Sequence, residues 1–179
     1  MFIRKKERKK KILVLIDWDN LLISSEISKI EPTHFSATAG FDRIFKNLTE
    51  LGEIIGVFVF LPPNNSMIWG EQIQRMGFKM IVCPRMKNKK GEDQDTVDNL
   101  LAENGEWLIS QIPDIDYLVL GSGDKDFVPF LRKMKLKGLK IIIIAANPQS
   151  LALELEKLAD KHPSTGKKMV FLFYPEEKE

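Results

Sequence analysis

Six short apolar runs punctuate the chain, at Ile12–Ile16, Ile54–Phe60, Phe78–Val82, Tyr117–Leu120, Leu139–Ala145 and Met169–Tyr174. Each has the length and the Val, Ile, Leu and Phe content that predict a strand. Between them, apolar positions recur at the three- and four-residue spacing of amphipathic helices, over Phe41–Leu51, Met67–Met76, Thr96–Ser110, Val128–Lys137 and Ser150–Asp160. Turn signals such as Leu61-Pro62-Pro63-Asn64 and Ala146-Asn147-Pro148 separate the two patterns. A run such as Ile141-Ile142-Ile143-Ile144 has no polar face to offer water, so helices must cover it on both sides. The pattern predicts a single doubly wound α/β domain, with a mainly parallel sheet and helices on both faces. Ser24–Gly40 is less regular and reads as a helix combined with a loop over one sheet edge.

Composition narrows the class. The chain has 179 residues, 44% hydrophobic and 29% charged, which suits one domain able to bury a core and excludes collagen, disorder and disulfide scaffolds. Cys83 is the single cysteine, so no intramolecular disulfide forms, no Cys/His spacing suits structural zinc, and a reducing cytoplasm is the expected compartment. Apolar runs such as Ile141–Ala146 fall far below the ~18 residues of a membrane span, so no membrane partner is expected. The apolar stretch after the basic N-terminus stops at Asp17, too soon for a signal peptide.

The net charge of +2 is unevenly spread. Residues 1–11 hold seven Lys/Arg against Glu7 alone, a basic arm of +6, which leaves −4 on the remainder. The expected organisation is therefore a basic arm over 1–11, a domain over 12–174 and an acidic tail over 175–179. The arm reads either as a solvated leader or as a phosphate-binding tail.

In a doubly wound sheet, ligands bind outside the carboxyl ends of the strands, where strand order reverses. The first strand delivers Asp17-Trp18-Asp19-Asn20 to that end, and the fourth delivers Gly121-Ser122-Gly123-Asp124-Lys125-Asp126-Phe127. If these strands are neighbours, their acidic exits meet. A third acidic group, Glu92-Asp93-Gln94-Asp95-Thr96-Val97-Asp98, opens the helix before the fourth strand, and Asp98 shares a helical face with Leu101, Gly105 and Leu108. Asp95 reads as that helix's N-cap, and Asp19 and Asp126 have the same capping alternative. Convergence of Asp17, Asp98, Asp124 and Asp126 would be self-repelling without a cation. Oxygen-only ligands favour Mg²⁺ or Mn²⁺, which activate water for phosphodiester hydrolysis and stabilise the leaving oxygen. His34 and His162 have no Ser or Cys partner at recognisable spacing and read as surface residues.

Three segments carry a resemblance to a known family: Val14-Leu15-Ile16-Asp17-Trp18-Asp19-Asn20-Leu21, Val97-Asp98-Asn99-Leu100-Leu101, and Gly121-Ser122-Gly123-Asp124-Lys125-Asp126-Phe127-Val128-Pro129 followed by Gly138. Over most of its length the chain resembles the NYN domain family, the LabA-like branch of the PIN-like nucleases. The resemblance implies a PIN-like α/β/α sandwich and a divalent-metal ribonuclease site built from Asp17, Asp98, Asp124 and Asp126. Asn20 would orient ligand or substrate there, and Ser122 is expected to bind substrate beside it. Many family members read Lys-Gly-Val-Asp before the central helix, whereas this chain has Lys90-Gly91-Glu92-Asp93 and only later Val97-Asp98. The third ligand is thus Asp98, Asp95 or Asp93, with Asp98 preferred for its helix phase and its Val-Asp dipeptide.

Arg85, Lys87, Lys89 and Lys90 precede that helix and would bind RNA phosphates in a salt-dependent, sequence-independent way, with the basic arm extending the track. The bland reading of this loop is a solvated one. Trp18 is expected in the core, with stacking on a splayed RNA base as the alternative. The functional expectation is a cytoplasmic, metal-binding ribonuclease, a hydrolase; a homo-oligomer is compatible with the sequence. A non-catalytic RNA-binding or scaffold domain of the same fold is the runner-up, because ligands alone do not make turnover. A haloacid-dehalogenase-like phosphatase ranks behind both, since residues 99–123 lack the lysine that its phosphoaspartate requires.

Overall fold

The computed structural model describes residues 8–23, 33–87, 89–91, 93–94 and 96–174. The first seven residues of the basic arm, residues 24–32 of the Ser24–Gly40 segment, Asn88, Glu92, Asp95 and the acidic tail lie outside the described residues.

Six strands form one parallel sheet: β1 (Lys11–Asp17), β2 (Glu53–Leu61), β3 (Lys79–Val82), β6 (Ile115–Gly121), β7 (Lys140–Ala145) and β8 (Val170–Leu172), in the order β3-β2-β1-β6-β7-β8. All six predicted strands are present, each within about two residues of its expected ends. The chain builds outward from β1 through β2 to β3, returns to lay β6 on the other side of β1, and continues to β8. Strand order therefore reverses between β1 and β6, and the crevice of a doubly wound sheet opens there. A two-stranded antiparallel hairpin, β4 (Met86–Lys87) with β5 (Asp93–Gln94), stands outside this sheet.

β1 shows why the sheet needs two helical layers. Ile12, Val14 and Ile16 enter one core with Trp18, Phe41, Ile44, Leu48, Trp69 and Ile73, under α1 (His34–Leu51) and α2 (Pro63–Arg75). Leu13 and Leu15 enter the other with Leu101, Phe130, Leu131, Met134 and Leu155, under α3 (Val97–Gln111), α4 (Val128–Leu136) and α5 (Leu153–Leu158). Each such side chain, when fully buried, contributes roughly 1.5–3 kcal/mol of transfer free energy.

Helix starts follow local chemistry. Thr33 accepts the Ser36 N–H while the Ser36 hydroxyl accepts the Thr33 N–H, a reciprocal box that begins α1 seven residues before the expected Phe41. Pro63 opens α2, where its missing N–H costs nothing. α3 buries Val97, Leu101, Gly105 and Leu108, the stripe anticipated for it. At Gly105 the helix lies so close to the sheet that a methyl group would stand 2.6 Å from Leu15 Cδ1 and 2.9 Å from Phe130 Cζ.

Candidate metal and nucleic-acid site

β1 and β6 are hydrogen-bonded neighbours with Ile16 opposite Gly121, so their exits leave the sheet side by side. Beyond β1 the chain makes one π-helical turn, Asp19–Ile23, a feature frequent at functional sites. Beyond β6 it makes the Ser122-Gly123 turn and a 3₁₀ turn, Lys125–Phe127, before α4. Three hydrogen bonds fix this second exit. Asn20 Oδ1 accepts the Gly123 N–H at 2.9 Å, Gly123 O accepts the Ala152 N–H at 2.9 Å, and buried Ser122 Oγ accepts the Asp124 N–H at 3.2 Å. A side chain at Gly123 would run into the Ser150 carbonyl. The glycine lets the turn lie between the β1 exit and the segment after β7.

That clamp aims the carboxylates. Asp124 caps the 3₁₀ turn through Oδ1, which accepts the Asp126 N–H at 2.9 Å. Asp98 arrives from the first turn of α3. Asp98, Asp124 and Asp126 each offer a carboxylate oxygen, and the three oxygens lie within 4.8 Å of one another, the group of this kind among the described residues. Asp17 ends β1 at 6% exposure, and its Oδ1 accepts the Asn20 N–H at 3.2 Å. It stands at the same end of the sheet but is not one of the trio.

The other predicted residues fall as follows. Asn20 spends its side-chain oxygen on Gly123, so its visible work is to lock the two exits together. Arg85, Lys87, Lys89 and Lys90 are all exposed on the β4–β5 hairpin and its approach. Thr96 closes that excursion by donating its hydroxyl to Pro84 O at 2.6 Å. Thr96 also occupies the N-cap position of α3 that was expected of Asp95, which lies outside the described residues, as does the side chain of Asp93. Trp18 is fully buried between Phe41 and Trp69, with ring centroids at 5.9 and 5.4 Å, so it packs the core and cannot stack on a base. His162 accepts two turn amides through Nδ1.

The root of the basic arm is held at the foot of the sheet, the end opposite the carboxylates. Arg8 donates to both carboxylate oxygens of Asp116, at 2.7 and 3.1 Å, with Lys10 at 3.2 Å, at the foot of the sheet. One functional neighbour had no sequence signal. Asn65, buried in the first turn of α2, donates Nδ2 to Asp19 Oδ1 at 2.7 Å and ties the π turn to α2.

A groove of about 560 Å³ starts at Asp98 and Asp126 and runs between α3 and α4 past Asn99, Ala102 and Phe130 to Glu106 and Lys133. Glu106 and Lys133 form an ion pair that is largely solvent-exposed, a kind worth about 0–1 kcal/mol and easily broken.

The switch-point crevice of this parallel sheet gathers three aspartate carboxylates, a donor set that suits a hard cation. Residues 11–165 match the NYN domain, and the chain belongs to that family. It is 29% identical over 157 residues to an uncharacterized protein of Methanocaldococcus jannaschii, covering 88% of this chain and 56% of that one, so it spans about half the length of that relative. A crystal structure of a protein of unknown function from Vibrio parahaemolyticus shares the fold, with a TM-score of 0.70 and 17% identity over 94% of both chains. No helix among the described residues is long and apolar enough to cross a membrane.

Proposed function

We propose that this chain is a divalent-metal-dependent ribonuclease, with Asp98, Asp124 and Asp126 holding Mg²⁺ or Mn²⁺ and Asp17 completing the acidic site. The observation that carries this reading is the meeting of three carboxylates from two separate elements at the switch point. Their chemistry fits the ion: three anionic oxygens, no sulfur or imidazole, and room for water and a substrate phosphate. When bound, such an ion lowers the pKa of water and stabilises developing charge on phosphate oxygens.

The chain's own groups do the rest. The clamp through Asn20, Ser122 and Gly123 holds Asp124 and Asp126 in place before substrate arrives, so little reorganisation accompanies reaction. A carboxylate of the acidic site accepts the proton of the attacking water. That water's oxygen forms the new bond to phosphorus, the bond to the departing ribose oxygen breaks, and that oxygen takes a proton from solvent water and leaves as a hydroxyl. The exposed cations Arg85, Lys87, Lys89 and Lys90 hold flanking phosphates without reading bases.

The test is cleavage of labelled single-stranded and structured RNA with Mn²⁺, Mg²⁺ or EDTA, comparing wild type with Asp124→Asn. Asparagine keeps the oxygen that caps Asp126 but removes the charge. Metal-dependent cleavage that disappears in the variant is expected. Equal cleavage by both proteins, or RNA binding by wild type without turnover in any metal, overturns the catalytic assignment.

A further inference from the structure

Positive charge in this chain is gathered toward one end. Residues 132–168 hold nine Lys/Arg against Glu154, Glu156 and Asp160, whereas residues 12–131 hold ten Lys/Arg against eighteen Asp/Glu. α4 joins the two regions. It starts at Val128 beside Asp126 and ends at Leu136, at the foot of β7, a run of about 13 Å at 1.5 Å per residue. Phe130, Leu131 and Met134 face the core, which leaves Arg132, Lys133 and Lys137 outside.

Lys133 lines the groove that begins at the carboxylates. Lys137 lies four residues on, its N–H bonded to Lys133 O, and so falls on the same flank. The opposite flank is spent on structure: Lys135 Nζ donates to Leu158 O and to Asp160, and Asp160 also accepts the Ile141 N–H. At the foot, Lys168 Nζ donates to Lys157 O and Ala159 O, while the exposed side chains of Lys157, Lys161 and Lys167 extend the positive surface.

Resting on the nuclease reading above, we propose that one flank of the RNA leaves the carboxylates along α4, its phosphates held by Lys133 and Lys137 and then by the lysines at the foot. The hairpin holds the other flank, so the scissile bond is gripped from two sides. Without RNA, Glu106 occupies Lys133; a phosphate replaces that carboxylate on entry. An anionic bilayer would meet the foot lysines and Leu136, which is 90% exposed, but a flat surface does not follow the cations into the groove that holds Lys133. Continuity with the carboxylates therefore favours a flexible strand.

The experiment measures binding of labelled single-stranded RNA of graded length across a salt series, in an Asp124→Asn background that does not cleave. Lys133→Met with Lys137→Met is expected to lower the slope of log K against log salt by about 1.4, at about 0.7 per phosphate contact on a single strand. It should also reduce the gain in affinity with each added nucleotide. Glu106→Gln is expected to tighten binding by about two- to tenfold, through release of Lys133. An unchanged slope and length dependence in the double variant, with circular dichroism showing a folded protein, overturns the path. So does loss of binding to phosphatidylserine vesicles while the RNA slope holds. The two readings fail separately. A wild type that never cleaves sinks the nuclease while the slope still reports the path; a wild type that cleaves beside an unchanged slope sinks the path alone.

Discussion

Aspartates stand at both ends of the central strands, and the two ends treat them differently. At the foot, Asp116 is ringed by the chain's own donors: Arg8 on both oxygens, Lys10, and the Lys11 N–H at 2.9 Å. Burial alone would raise its pKa, but the Lys11 amide, Arg8 and Lys10 together hold it below the ordinary value of 3.8. Arg8 is raised in turn, chiefly by its hydrogen bond to Asp116. At the other end Asp98, Asp124 and Asp126 point their oxygens at one another. One end sets a single carboxylate among basic groups; the other brings three carboxylates from two elements together, the arrangement on which the proposed metal site rests. An acidic residue's neighbours, more than its burial, mark it as structural or chemical.

The widest separation expected between the two ends is in rate. Asp124→Asn should cost more than the about 10–100-fold that loss of an outer-shell metal partner costs, whereas Asp116→Ala should leave metal-dependent cleavage within a fewfold of wild type. Rates at saturating Mn²⁺ check both, and comparable losses in the two would erase the distinction.

Metal linkage comes next. Mn²⁺ at a hundredfold its dissociation constant should stabilise wild type by about 2.7 kcal/mol, visible as a rise in melting temperature, and should do nothing for a protein with Asp98, Asp124 and Asp126 all changed to Asn. Equal shifts would move the ion elsewhere.

Asp116→Ala should in turn cost about 1–3 kcal/mol in denaturant unfolding, from loss of its charge-assisted hydrogen bonds. The pH dependence has a definite sign. Because the folded pKa lies below 3.8, the stability from Asp116 is present above that value and lost as pH falls through the lower folded pKa. Between wild type and variant, the gap should close in acid below about pH 4. A gap that persists there means that the ion pairs contribute nothing. The smallest effect at moderate salt belongs to the hairpin: Lys87, Lys89 and Lys90 changed together to Ala should flatten the RNA salt slope by about 2, with melting temperature unchanged.

Much of this was legible in the residues because the strands are long, apolar and doubly buried, so that no alternative period competes. The acids of the site were legible because parallel strands must emit their exits at one end. What escaped is instructive. The π turn at Asp19–Ile23 and the hairpin of β4 and β5 are too short to establish a period. The bond from Asn65 to Asp19 joins residues 46 apart with no motif at either end. Charge says what the arm can bind, whereas Asp116, an acid at the start of a strand, decides where its root is held.

Gly105 gives the site a hidden determinant. The depth of a helix above a sheet is limited at its point of closest approach, and here the residue at that point has no side chain. An alanine would act as a shim under α3, tilting or lifting its first turn and carrying Asp98 off the other two carboxylates. A screen for inactive variants should therefore return an apolar, buried glycine, two helical turns from any reacting atom, among the acids it was designed to find.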